Sequence, residues 1–140
     1  MATYNSVVIN APADQVWASL RNFNDMSWAE GIVESVESVN GKGGTEVGAS
    51  RLVNGAIRET LQSFDDEARA FSYSIDEGPD VLASDMVEGY IGKARVTPIT
   101  ASGQSFVEWS SDWNAAKGDV KSFCDPLYAG LLGLLAKKFH

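Results

Sequence analysis

The sequence predicts an α+β domain: a curved antiparallel β-sheet of about seven strands wrapped around a long C-terminal helix, with two short helices after strand 1. Three observations carry that expectation. Segments of alternating or β-branched and aromatic residues recur between short turns from residue 32 onward. Helical spacing near the N-terminus is confined to a brief stretch after the first such segment. Last, Val120 to Phe139 carries Phe123, Leu127, Leu131, Leu132, Leu134 and Leu135, apolar on nearly every side. A helix of that kind needs cover all round, which a curling sheet supplies.

In chain order, Thr3 to Asn10 alternates around Val7, Val8 and Ile9 and reads as the first strand. Ala11-Pro12-Ala13-Asp14 opens a helix, because proline fits the first turn and an acidic residue suits the positive end. Val16, Trp17 and Leu20 follow at helical spacing. A second short helix is expected over Asn24 to Glu30, with Met26 and Trp28. Ile32 to Val39 is an alternating strand, and Asn40-Gly41-Lys42-Gly43-Gly44 is a turn. Strands are then expected over Glu46 to Leu52, Ala56 to Phe64 and Arg69 to Asp76, the last with Phe71, Tyr73 and Ile75 on one face. Glu77 to Ser84 reads as a loop. Two long strands, Met86 to Thr97 and Gln104 to Trp113, precede the final helix. In the second of these, Val107, Trp109 and Trp113 share a face. Six strands joined by short turns imply an antiparallel meander.

With 140 residues the chain reads as one domain, residues 1–140, large enough to bury ~68–70% of its unfolded surface. A net charge of −8 on only eleven Lys and Arg argues against nucleic acid, whose binding rests on neutralised phosphates. No apolar run approaches the roughly 20 residues of a membrane-spanning helix, so no membrane insertion is expected. Neither a secretory signal nor a cysteine pair is apparent, and the lone Cys124 agrees with a reducing, cytoplasmic setting. A monomer or homodimer is expected.

The residue types present narrow the chemistry. The only histidine is His140, so histidine catalysis and histidine metal sites are not expected; no metal and no cofactor is anticipated. Cys124 has no histidine partner to activate it. Gly41-Lys42-Gly43-Gly44 lacks the spacing of a phosphate-binding loop and reads as a hairpin turn.

Arg51, Glu59 and Tyr90 are the candidate catalytic set. Ile57, Glu59 and Leu61 alternate with Arg58, Thr60 and Gln62, which points Glu59 inward with the apolar face. The placement of Arg51 depends on the turn. A two-residue Asn54-Gly55 loop sets Arg51 opposite Arg58, outside, and Ser50 opposite Glu59. A three-residue loop, Val53-Asn54-Gly55, pairs Arg51 with Ile57 and brings Arg51 and Glu59 diagonally together, ~7–8 Å apart on the inner face. The second register is favoured because it avoids opposing two like charges. An inward pair of this kind is either a buried salt bridge pinning the hairpin or a site in which Arg51 anchors an oxygen and Glu59 moves a proton. Burial would raise the Glu59 pKa and Arg51 would lower it. Tyr90 shares parity with Met86, Glu88, Gly92, Ala94 and Val96, and the small Gly92 and Ala94 leave room beside it for a ligand. Its phenol suits hydrogen bonding to a developing oxyanion, or to a local core partner. Trp28, Phe71, Tyr73, Met86, Trp109, Leu127 and Leu131 are the expected ligand-contacting walls. Glu88 is expected to pair with Arg95 or Lys93, or to be a second pocket acid.

Several phrases carry a resemblance across essentially the whole chain: Ile9-Asn10-Ala11-Pro12-Ala13-Asp14-Gln15-Val16-Trp17, Phe23-Asn24-Asp25-Met26-Ser27-Trp28, Val47-Gly48-Ala49-Ser50-Arg51, Arg58-Glu59-Thr60-Leu61, Tyr73-Ser74-Ile75, Tyr90-Ile91-Gly92-Lys93-Ala94-Arg95-Val96-Thr97-Pro98 and Val107-Glu108-Trp109. The sequence resembles the START-like/Bet v 1-like (SRPBCC) superfamily, within it the polyketide cyclase/dehydrase and lipid-transport group. That resemblance implies a helix-grip fold with an internal cavity. Activity within the superfamily ranges over carriers, hormone receptors, cyclases, dehydratases and isomerases. There is also some likeness to lachrymatory factor synthase, a sulfenic-acid isomerase whose pocket uses an arginine, a glutamate and a tyrosine. Arg51, Glu59 and Tyr90 stand at the corresponding places, with a shorter hairpin between the first two. The function expected is binding of a small hydrophobic, oxygen-bearing molecule, with cofactor-free cyclisation, dehydration or isomerisation. The alternative is a carrier or sensor of a lipid-like or hormone-like ligand.

Overall fold

A computed structural model describes all 140 residues. Strand β1, Ala2–Ile9, turns its Thr3 and Ile9 inward and leaves Tyr4 and Val8 exposed. Helix α1, Ala13–Leu20, follows Pro12, whose ring-fixed backbone ends the extended segment. Its buried residues Ala13, Val16, Trp17 and Leu20 recur at three- and four-residue spacing, so one face is apolar. The expected second helix is a single 3-10 turn, Ser27–Ala29. Asn22 and Asp25 side chains accept from the backbone N–H of Asn24 and Ser27. These local bonds compete with helical ones and keep the segment in turns.

Strand β2 is shorter than the alternation indicates, Val36–Ser38 only. Asn54 is the reason: its Oδ1 accepts from the N–H groups of Glu34 and Ser35, and its Nδ2 donates to Ile32 O. One side chain thus takes the place of ladder bonds over residues 32–35. Strand β3 is Ser50–Val53, since Glu46 to Ala49 forms a turn through Gly48 at φ 95°. Strands β4, Ile57–Asp65, and β5, Ala70–Glu77, pair with two register shifts, at Arg58/Glu59 and Leu61/Ser63. Bulges of this kind bend the strand and curve the sheet.

The expected long strand Met86 to Thr97 is two strands, β6 (Val87–Glu88) and β7 (Ile91–Ile99). Gly89 breaks it at φ 70°, a conformation costly for residues with a Cβ. Strand β8 is Gln104–Asp112, and a short β9, Ala115–Ala116, pairs with β6 as a separate two-stranded sheet that the sequence did not disclose. Glu88 lies exposed on that sheet and makes no ion pair with Arg95 or Lys93, which removes it from the pocket.

Helix α2 spans Val120–Lys138, capped by Asp119, whose carboxylate accepts from Ser122 N at 3.1 Å; Lys137 and Lys138 complement its C-terminal dipole. It is amphipathic rather than buried all round: Val120, Cys124, Tyr128, Leu131, Leu132 and Leu135 face inward, and Phe123 is exposed. The main sheet has the order β1-β8-β7-β5-β4-β3-β2, seven strands, antiparallel throughout. Its concave face and α2 enclose the core. No helix is long and apolar enough to cross a membrane.

Candidate functional site

The β3–β4 hairpin decides the site. Asn54 and Gly55 both adopt left-handed backbone, φ 55° and 64°, and the loop is Asn54-Gly55-Ala56, with Val53 pairing Ile57. Neither anticipated register is adopted. The loop has three residues, as favoured, but sits one position later, so Arg51 lies directly opposite Glu59 instead of diagonal to it. Both residues are buried, at 3% and 7% exposure.

Arg51 donates from Nε to Oε1 of Glu59 at 2.8 Å, and its Nη2 lies 2.7 Å from the same oxygen in an ion pair. Its Nη1 donates to the carbonyl of Phe23, and its guanidinium lies 3.7 Å from the centroid of the Phe23 ring. No hydrogen bond within the chain reaches Oε2 of Glu59. Burial pushes the Glu59 carboxyl above its ordinary pKa, and Arg51 opposes that rise without cancelling it.

Arg51 and Glu59 line a cavity of about 50 Å³ between the sheet and α2. Tyr73, Trp109, Cys124, Leu127, Tyr128 and Leu131 form much of its wall. Its outer end is bounded by Ile32, Ile57 and Ile75, each partly exposed. Space of that size holds water, whereas ligand pockets run to ~300–1,000 Å³. The hollow under α2 is therefore mostly filled, and a ligand of more than a few heavy atoms requires a wall to move.

A chain of hydroxyls fills the rest. Trp109 Nε1 donates to Tyr73 Oη at 3.0 Å, Tyr73 Oη lies 2.9 Å from Tyr128 Oη, Tyr128 bonds Tyr90, and Tyr90 donates to Cys124 Sγ at 3.5 Å. Burial raises the pKa of all three phenols and of the thiol, which keeps them protonated.

Of the residues singled out from sequence, Arg51, Glu59, Tyr73, Trp109, Leu127 and Leu131 meet at this cavity. Four do not. Tyr90 is stacked on Trp113 and touches the cavity wall only through Tyr128 and Cys124. Phe71 is core, edge-on to Phe23 and Trp109. Trp28 packs behind Trp109 at 6.2 Å. Met86, carried off by the break at Gly89, lies near Gly118. The room at Gly92 serves Tyr73 instead of Tyr90: the two are opposite in the ladder, and a Cβ on Gly92 would come within 2.3 Å of the Tyr73 ring. Gly92→Ala should cost about 1–3 kcal/mol by overpacking, read as a lower urea midpoint at unchanged slope. Tyr128 is not among the residues that the sequence singles out, although its spacing from Leu131 and Leu135 places it on the inward stripe.

A family model described as polyketide cyclase / dehydrase and lipid transport matches residues 2–139. The chain belongs to this family. Family membership supports binding of small hydrophobic ligands in general. Among solved structures, a protein of Nitrosospira multiformis is 38% identical, with a TM-score of 0.97 over 100% of this chain and 97% of that one. The protein XoxI of Bacillus cereus is 26% identical, at 0.82, over 99% and 94%. Ara h 8.0201, at 16% identity and a TM-score of 0.78 over 99% and 97%, shares the Bet v 1-like fold. No curated protein matches the chain.

Proposed function

We propose that this family member binds a small hydrophobic, oxygen-bearing molecule at the cavity and performs cofactor-free proton transfer on it, as in cyclisation, dehydration or isomerisation. One observation carries the reading: a buried carboxylate in an apolar cavity has one oxygen hydrogen-bonded and ion-paired to arginine and the other without a partner. Such a group is positioned, raised in pKa and free to take or give a proton at Oε2. Arg51 holds Glu59 in place and sets positive charge where negative charge develops. Tyr90 acts at a distance, by orienting Tyr128, and is a positioning residue.

The rival is a carrier without chemistry, in which the pair pins the β3–β4 hairpin. Its support is the direct ladder pairing of Arg51 with Glu59. Native mass spectrometry of freshly purified protein, followed by assay of any co-purified compound, separates the two. Glu59→Gln should keep the compound bound while its conversion slows ~10²–10⁴-fold, the usual worth of a positioned acid or base. Binding with no conversion by the unaltered protein identifies a carrier.

A further inference from the structure

The cavity sets a carboxylate oxygen that has no partner within the chain, Oε2 of Glu59, beside the guanidinium of Arg51. Tyr90 bonds Cys124 and Tyr128, and Tyr128 bonds Tyr73, so these three phenols are engaged with one another and with the thiol. Trp109, a donor only, gives its proton to Tyr73. The polar residues that line the cavity are Arg51, Asn54, Glu59, Tyr73, Cys124 and Tyr128, and among their oxygens Oε2 of Glu59 has no bond within the chain. Arg51 keeps N–H groups on both terminal nitrogens beyond its bonds to Glu59 and Phe23, and Asn54 keeps a second amide N–H beyond its bond to Ile32 O.

We infer that the site selects a ligand by its hydrogen-bond donor, taking a hydroxyl group on a small apolar frame that donates to Oε2 of Glu59. This rests on the reading of the cavity as a ligand site. A hydroxyl donates to Oε2 and accepts from an Arg51 N–H at once, matching both halves of the ion pair. A ketone or ether oxygen only accepts, and its lone pairs oppose those of Oε2. A carboxylate would set a second negative charge beside the first in a medium of low dielectric. A proton placed on Oε2 would find no acceptor bonded to it within the chain, so a donor from the ligand supplies what the carboxylate lacks.

Matched probes test this: 2-propanol against acetone, and cyclopentanol against cyclopentanone, titrated while the Trp109 indole N–H is followed by NMR. In each pair the alcohol should bind about tenfold tighter, the order of one hydrogen bond to a charged group. Glu59→Gln should abolish the preference, because Arg51 retains the amide oxygen and turns toward the ligand an NH₂ from which alcohol and ketone oxygens both accept. Equal affinities, or a preference of the unaltered protein for ketones, overturn the inference alone, and that comparison needs no variant to fold. An alcohol preference that survives Glu59→Gln overturns it as well. If no probe shifts the indole resonance, the reading of the cavity as a ligand site falls and takes this inference with it.

Discussion

Arg51→Met alone should lower stability by about 3–5 kcal/mol, whereas Arg51→Met together with Glu59→Leu should return it to within about 1–3 kcal/mol of the unaltered protein. The single change leaves a carboxylate buried at 7% exposure with no counter-charge. It must then either ionise uncompensated or take up a proton that no neighbour accepts. The double change removes both desolvation costs and refills the space with carbon. What remains is the carbonyl of Phe23, which loses its Arg51 donor in both variants; an unsatisfied buried acceptor is worth about 1–3 kcal/mol. Denaturant titration of the two single variants and the double gives the coupling between the residues directly. A double variant as unstable as the Arg51 single would show that the pair is not where the loss arises. The same protein bears on function: stable, folded and without the pair, it should no longer retain a ligand that the unaltered protein carries.

Trp109→Ala should cost about 3–5 kcal/mol, the range for emptying a large aromatic from a core. For a chain of this size that lowers Tm by on the order of 10–20 °C. The indole is 1% exposed and packs against Trp28, Phe71, Tyr73 and Tyr128, stacked on the last at 5.7 Å. Its N–H also donates to Tyr73 Oη, so its loss removes one of that phenol's two buried partners. Because Trp109 lines the cavity, the vacated volume joins space already present. Free indole should therefore raise the Tm of the variant while leaving the unaltered protein unmoved, as apolar ligands fill engineered voids. A variant whose Tm is indifferent to indole would mean that the walls have closed over the gap.

Much of this architecture is legible because it rests on local periodicity. The helix expected over Val120 to Phe139 is observed over Val120–Lys138, and the strands lie near their expected places with ends trimmed or split. The errors have particular causes. Asn54 binds the backbone of residues 32–35 and shortens β2, a contact between segments about twenty residues apart that no alternation encodes. Gly89 splits one expected strand by its positive φ, and Asn22 and Asp25 hold the segment after α1 in turns. Tyr128 stands out less than the leucines of α2 because the inward stripe, not residue class, marks it.

For the site, strand parity alone turns Glu59 inward, since its neighbours Ile57 and Leu61 are apolar and adjacent side chains must diverge. Whether Arg51 joins it depends on loop phase, and a shift of one residue in a hairpin turns every side chain to the other face. Only the folded hairpin, with Asn54 and Gly55 both left-handed, decides that. The choice of Tyr73 and Tyr128 over Tyr90 as cavity phenols is likewise tertiary, since it follows from the Gly92 seat across a strand and from a helix remote in sequence. The amount of open space is decided latest of all. It is a small difference between the volume enclosed by sheet and helix and the volume of the side chains within, and no local pattern carries a difference of that kind.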